Sequence, residues 1–305
     1  MNSIAPLDCL IIGAGPAGLT AATYLARFRR SVQVIDSGTS RARLIPVSHN
    51  YPGFPQGISG KDLLSQLRAQ TERYGVNIVP GVVEQLEIQS DGSFLVKTRN
   101  IERRAKKVLL ATGVVDIEPA LPDLENAICR GFIRHCPVCD GYEVIDQKIA
   151  VIGHGKSVCN ESLFLRTYTS DITVLTLGQI LASAERKKLK EAGIRIIEEP
   201  ISAIYVEGEK IAALRIGSNI GSNKEYQFDS IYSALGCRVR SELAKTLAAH
   251  YDEIEALIVD RHQRTSVAGL YAAGDVVQGL NQICVATGQA AVAAMDIHKC
   301  LKSPS

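Results

Sequence analysis

Asp8-Cys9-Leu10-Ile11-Ile12-Gly13-Ala14-Gly15-Pro16-Ala17-Gly18 is the stretch that decides the fold. A short apolar run stops at Gly13, three glycines follow at Gly-x-Gly-x-x-Gly spacing, and Pro16 to Arg27 carries helix formers. The chain therefore opens as strand, glycine turn, helix. Glycines in that turn let backbone N–H groups and the helix dipole approach a pyrophosphate. Ser31-Val32-Gln33-Val34-Ile35-Asp36 reads as the next strand, and its terminal acid lies 23 residues after Gly13, where a carboxylate can accept hydrogen bonds from an adenosine ribose. The spacing alone does not choose between NAD and FAD.

The same pattern returns further along. Lys148-Ile149-Ala150-Val151-Ile152 leads into Gly153-His154-Gly155-Lys156-Ser157-Val158, then a helical stretch to Tyr168, then Asp171 to Leu175 as a strand. Between the two copies Lys107 to Gly113 reads as a buried strand, and Glu118-Pro119-Ala120-Leu121-Pro122 suits a linker. Ser230 to Gly236 and Gly269 to Asp275 are further strands, with a last helix from Cys284. The expected fold class is α/β, with two Rossmann-like, three-layer ββα domains, the second inserted in the first. The expected boundaries are 1–115 with 241–305 for the first domain and 118–238 for the second.

Length agrees with two domains, because single cores stop growing near roughly 250 to 300 residues and this chain has 305. Apolar residues make up 46% and charged residues 22%, a globular composition. A net charge of +2 leaves no footprint for nucleic acid or an anionic membrane. Leu10 to Ala26 lacks the basic flank of a signal peptide, and no stretch approaches the roughly 18 apolar residues of a membrane span. A cytoplasmic protein is expected.

Of eight cysteines, only Cys136 and Cys139 are closely spaced. Two thiols at Cys-x-x-Cys spacing can close a small disulfide ring and hold one thiolate at depressed pKa. Asp140 beside them is a candidate to handle the proton, and His135 to tune the thiolate. A zinc site needs further ligands, and Cys129, His135, His154 and Cys159 repeat no ligand unit, so no metal is expected. Gly274-Asp275 at a strand end offers an acid for a flavin's ribityl and phosphate region, or an ordinary helix cap. In the second turn Gly153, Gly155, Lys156 and Ser157 are candidates for a nucleotide, weakened by Val158 where a small residue is wanted. The basic run Arg186-Lys187-Lys188-Leu189-Lys190 reads as a solvated helix face, or as a docking patch for an acidic electron carrier.

Gly13 to Gly18, Asn50-Tyr51-Pro52-Gly53-Phe54-Pro55, Ala111-Thr112-Gly113, Cys136-Pro137-Val138-Cys139-Asp140-Gly141 and Ala273-Gly274-Asp275 together resemble the low-molecular-weight thioredoxin reductases, in that family's order and over nearly the whole chain. The resemblance implies FAD, held by Gly13, Gly15, Pro16, Ala17 and Gly18, by Asp36 and Ser37, by Arg41, by Asn50 in the Tyr-Pro-Gly loop, by Thr112 and Gly113, and by Gly274 and Asp275. It also implies a homodimer, Cys139 as the flavin-proximal thiolate, Cys136 as the thiol that attacks a substrate disulfide, and Asp140 as the proton carrier.

Two departures bear on the electron source. Where the family carries His-Arg-Arg, this chain has Thr176-Leu177-Gly178, with neither an acid for NAD nor an arginine for the 2′-phosphate of NADPH; the Gly-Gly-Gln loop is replaced by Ser40 to Pro46. These features, with His135 before the cysteines and Tyr142-Glu143 after them, resemble the NADPH-independent branch of ferredoxin-linked and diflavin-linked disulfide oxidoreductases and of dithiol oxidases of holomycin and gliotoxin type. The expectation is an FAD-dependent thiol-disulfide oxidoreductase that does not use NADPH. Its second nucleotide fold is empty or holds another ligand such as a second FAD. Expected partners are a thioredoxin-like protein or a small disulfide or dithiol, with a ferredoxin-type donor. The alternatives are an oxygen-using dithiol oxidase, a conventional NADPH thioredoxin reductase, and a non-catalytic redox sensor.

Overall fold

Two sheets, the first mixed and the second parallel, each containing the strand that leads into one of the glycine turns, organise the computed structural model, which describes residues 5–119, 127, 128, 130–207, 210–216 and 224–302. The first sheet runs, edge to edge, Asn77–Pro80, Val32–Asp36, Leu7–Ile12, Glu102–Leu110, Phe94–Lys97 and Gln85–Ile88. Leu7–Ile12 lies parallel to Val32–Asp36 on one side and to Glu102–Leu110 on the other. Glu102–Leu110 is long enough to serve two neighbours along its other edge. Its first half pairs antiparallel with Phe94–Lys97, and its second half pairs parallel with Leu270–Ala272, which returns from the far end of the chain.

Alternation along Leu7–Ile12 explains why its whole apolar run is buried. Cys9 and Ile11 face the helices Pro16–Arg27 and Ile283–Cys300, while Leu10 and Ile12 face a core that includes Phe94, Val96, Leu257 and Val276. Each fully buried Leu or Ile contributes roughly 1.5–3 kcal/mol, and a strand covered on both faces needs no polar alternation. Ala286, Ala290, Ala293 and Ala294 form the buried face of the last helix, small enough for close approach to Ala21 and Ala22.

The second sheet runs Arg195–Ile197, Ile172–Leu175, Ile149–Gly153, Ser230–Ala234 and Ile133–Arg134, all parallel. A three-stranded antiparallel sheet, Ile201–Glu207, Lys210–Ile216 and Lys224–Tyr226, was not expected from the sequence. Where the chain passes between the sheets, Val114–Asp116 pairs antiparallel with Cys237–Val239, so both passages form one short ribbon. Helices at Pro16–Arg27 and Gly155–Leu165 stand where the glycine turns place them. Ala120, Leu121 and Pro122 of the expected linker, and Cys129, lie outside the described residues. No helix among the described residues is long and apolar enough to cross a membrane.

Candidate active site

Ile12 and Ala272 both pair with Leu110, so three parallel strands end level and the turns that follow them converge. They open onto a cavity of about 820 Å³, within the roughly 300–1,000 Å³ of sites that bury most of a cofactor. All thirteen candidate cofactor residues except Gly18 line it, as do Cys136, Cys139, Asp140 and His135. Gly18 sits behind the turn.

The glycine turn lets its strand and helix approach closely. Gly13 has φ +105°, and a Cβ there would lie 2.3 Å from the Ala111 carbonyl oxygen. A Cβ on Gly18 would lie 1.9 Å from the Gly13 carbonyl oxygen, so the helix could not start this close to the strand with any other residue. A Cβ on Gly15 would meet only Ser40 Oγ, at 3.3 Å, and that glycine faces the cavity. Ala14 N donates to Asp36 Oδ1 at 2.9 Å, which fixes the carboxylate at the mouth of the turn. Ser37 is bonded to Thr39, oxygen to oxygen, at 2.8 Å. Thr112 Oγ1 donates to the Arg240 carbonyl at 2.6 Å, and Gly113 takes φ +66° beside it.

Arg41 donates to both oxygens of Asp116, at 2.7 and 2.8 Å, and comes within 3.6 Å of Asp275 Oδ2. Burial pushes the Asp275 carboxyl up, and Arg41 opposes that shift. Gly274 N donates to Gln289 Oε1 at 2.8 Å, which pins the Gly-Asp turn to the last helix. A glycine-turn anion cradle, a placed acid and a second acid beside an arginine fit FAD.

Cys136 and Cys139 form a disulfide, with Cα atoms 5.2 Å apart, across the turn Pro137–Asp140. Pro137 is preset for the first helical position. Cys139 N donates to Cys136 Sγ at 3.1 Å, so a thiolate on Cys136 would meet a backbone donor. Asp140 holds two partners: Arg134 Nη1 donates to Oδ2 at 3.0 Å and the buried Tyr232 hydroxyl donates to Oδ1 at 2.9 Å. Burial raises the Asp140 carboxyl against the opposing pull of Arg134 and Tyr232. His135 Nε2 lies 3.1 Å from Glu118 Oε2. Among the described residues neither sulfur bonds to Asp140 or His135. The side chain that reaches them is Gln282, with Nε2 at 3.4 Å from Cys136 Sγ and 3.3 Å from Cys139 Sγ. Asn50 Nδ2 donates to the Val138 carbonyl at 3.3 Å and to Gln282 Oε1 at 3.0 Å, so this residue joins the disulfide side of the cavity.

The second turn is apart from this cavity: Gly153, Gly155, Lys156 and Ser157 do not line it. Ser157 Oγ donates to Glu161 Oε1 at 3.2 Å. Burial pushes the Glu161 carboxyl up to about 7, with Ser157, His135 and Arg41 pulling it down and Asp116 adding to the rise. At the end of Ile172–Leu175 the Thr176 hydroxyl is turned inward onto the Gln179 carbonyl, and Leu177 and Gly178 take φ +57° and +86°. Arg186 is paired with Glu198, which also accepts from Leu181 N at 3.1 Å. In the basic run Leu189 is buried while Lys187, Lys188 and Lys190 are exposed, as on a solvated helix face.

Sequence reading missed Gln282, Asp116, Tyr232, Arg134 and Glu161. Arg134, Asp116 and Glu161 each lie within three residues of a motif but outside it, whereas Tyr232 arrives from the strand Ser230–Ala234 and Gln282 from the start of the last helix.

Residues 7–290 match the family described as pyridine nucleotide-disulphide oxidoreductase. Thioredoxin reductase of Streptomyces clavuligerus is 30% identical over 303 residues, covering 96% of this chain and 94% of that protein. The crystal structure of thioredoxin reductase from Streptococcus pyogenes MGAS5005 is similar at a TM-score of 0.91 and 30% identity, over 99% of this chain and 100% of that one. The crystal structure of HlmI is similar at a TM-score of 0.89 and 26% identity, over 97% and 92%.

Proposed function

Since the chain belongs to the pyridine nucleotide-disulphide oxidoreductase family and is a thioredoxin reductase-like flavin disulfide oxidoreductase, we propose that it moves electrons between FAD and the Cys136–Cys139 pair, and on to a second disulfide, without NADPH. The observation that carries this reading is the placement of both sulfurs in the wall of the cavity that the Gly13–Gly18 turn opens onto. Residues 1–115 and 241–305 would form the FAD-binding domain, and 118–238 the domain carrying the disulfide.

Bound FAD would supply the two-electron store that the disulfide couple needs. Gly13, Gly15, Pro16 and Ala17 would hold its pyrophosphate, Asp36 its adenosine ribose, and Asp275 its ribityl side. The reduced pair carries two electrons. The Cys136 thiolate attacks one sulfur of the partner disulfide, releasing the other as a thiolate and leaving a mixed disulfide. Cys139 then attacks Cys136 Sγ, which frees the partner's second thiol and restores the Cys136–Cys139 bond. Asp140, held by Arg134 and Tyr232 and raised by burial, would carry the proton that a thiol loses or a thiolate gains.

The absence of NADPH from this scheme is supported by the residues that follow Leu175. Thr176 is engaged with its own turn, and Arg186 is neutralised by Glu198. A ferredoxin-type carrier would then deliver the electrons. The partner would be a thioredoxin-like protein or a small disulfide. The remaining described cysteines, Cys9, Cys159, Cys237, Cys284 and Cys300, form no disulfide, which suits a reducing cytoplasm. A homodimer is the assembly we assign, by its likeness to the thioredoxin reductases.

The roles of the two sulfurs are tested by serine variants of the FAD-loaded protein. After reduction, Cys136→Ser should retain a long-wavelength charge-transfer absorption from the Cys139 thiolate beside the flavin, and Cys139→Ser should lack it. The band in the opposite variant would reverse the assignment. Oxygen uptake driven by small dithiols would mark the oxidase direction of the same exchange.

A further inference from the structure

The sulfurs of Cys136 and Cys139 share one polar side-chain partner among the described residues, the amide of Gln282. We infer that Gln282 is a catalytic residue, whose N–H₂ end is held on the two sulfurs by Asn50 and Ser48 and stabilises the thiolate of the reduced pair. This rests on the redox role proposed above for Cys136 and Cys139.

The two ends of an amide have nearly the same shape, so its orientation must come from its neighbours. The Val138 carbonyl can only accept, so the end of Asn50 that faces it, 3.3 Å away, is Nδ2. The Ser48 hydroxyl donates to the other end, Asn50 Oδ1, at 3.2 Å. The second hydrogen of Asn50 Nδ2 therefore points at Gln282, 3.0 Å away, and the atom receiving it is Oε1. That leaves Nε2 of Gln282 on the sulfurs. Each link is anchored in backbone: Ser48 is bridged to Ile58, and Gln282 is the residue that caps the last helix.

A disulfide sulfur is a weak acceptor, whereas a thiolate is a strong one, and hydrogen bonds to ionised groups are about twice as strong as neutral ones. The donor therefore favours the reduced pair over the disulfide. In glutathione the balance is disulfide plus two glutathione thiols giving the dithiol plus glutathione disulfide, with one proton leaving when a thiolate forms. Removing the donor shifts this balance towards the disulfide.

The test is to equilibrate FAD-loaded protein anaerobically in glutathione redox buffers, quench by alkylation and count alkylated cysteines by mass. Gln282→Met keeps the chain length but removes the donor. It is expected to favour the disulfide by about tenfold, which is about 30 mV for a two-electron couple. The gap should be full at pH values where both proteins carry a thiolate and should vanish where both carry thiols. Asp140, Arg134, His135, Glu143 and His49, the charged and titratable groups lining this side of the cavity, are the same in both proteins, so the difference isolates the amide. Asn50→Leu releases the amide from its fixed orientation and should shift the balance in the same direction by less. Asn50→Leu added to Gln282→Met should change nothing further, because both act through one hydrogen bond. A midpoint unmoved by Gln282→Met, or moved equally at every pH, overturns the inference while the pair still exchanges. A wild-type pair that never exchanges with glutathione overturns it together with the redox reading.

Discussion

At the scale of single residues, the site is built from groups that are costly to bury. Glu161 carries an oxygen, Oε2, with no hydrogen-bond partner, and its carboxyl sits near 7 instead of 4.5. Between those values the folded protein holds a proton that the unfolded chain has released. Stability from this group is thus complete below about 4.5 and is lost as pH rises through about 7. Glu161→Gln is expected to match the wild type near the low end of that window and to exceed it above the high end by on the order of 1 kcal/mol. Urea midpoints measured on both sides would show it, and parallel pH profiles for the two proteins would contradict it. None of this is visible in the sequence, because Glu161 earns its environment from His135, Arg41 and Asp116, which arrive from other parts of the chain. Asp140 shows the boundary of what a motif tells. Its place beside Cys139 is legible, but Tyr232, 92 residues away, is not.

Among the elements, the glycine turn separates two effects that one motif combines. Gly18→Ala would drive a Cβ into the Gly13 carbonyl, a backbone atom that cannot move aside. It should lower the stability of the protein itself by about 1–3 kcal/mol. Gly15→Ala meets only a serine hydroxyl, so the protein should keep its unfolding midpoint while losing FAD, since the added methyl occupies the side of the turn that faces the cavity. Thermal unfolding together with FAD content per chain distinguishes the two, and equal stability losses in both variants would contradict the assignment. The strand-turn-helix units were legible because an apolar run, a glycine turn and a long periodic helix each leave a signal. The ribbon of Val114–Asp116 with Cys237–Val239 left none, since three residues are too few for a period to show. Yet this ribbon places Asp116 against Arg41 and brings Arg240 to Thr112.

For the whole molecule, two sheets joined by one ribbon bring Asn50 and Gln282, 232 residues apart, onto a disulfide carried by the other sheet's segment of the chain. A sequence names the cysteines; only the assembled chain shows what donates to them. The second glycine turn does not line the cavity, and beyond it Thr176 donates to the Gln179 carbonyl and Arg186 pairs with Glu198. On the proposed reading, electrons should pass through the cysteines and not through this turn from NADPH. Anaerobic absorbance of the FAD-loaded protein, titrated first with micromolar NADPH and then with dithiothreitol, is the direct measurement. Flavin that ignores NADPH and bleaches with the dithiol, with the dithiol response lost in Cys139→Ser, is the expected result. Rapid bleaching by NADPH, or a flavin that the dithiol leaves oxidised in the wild type, would contradict it.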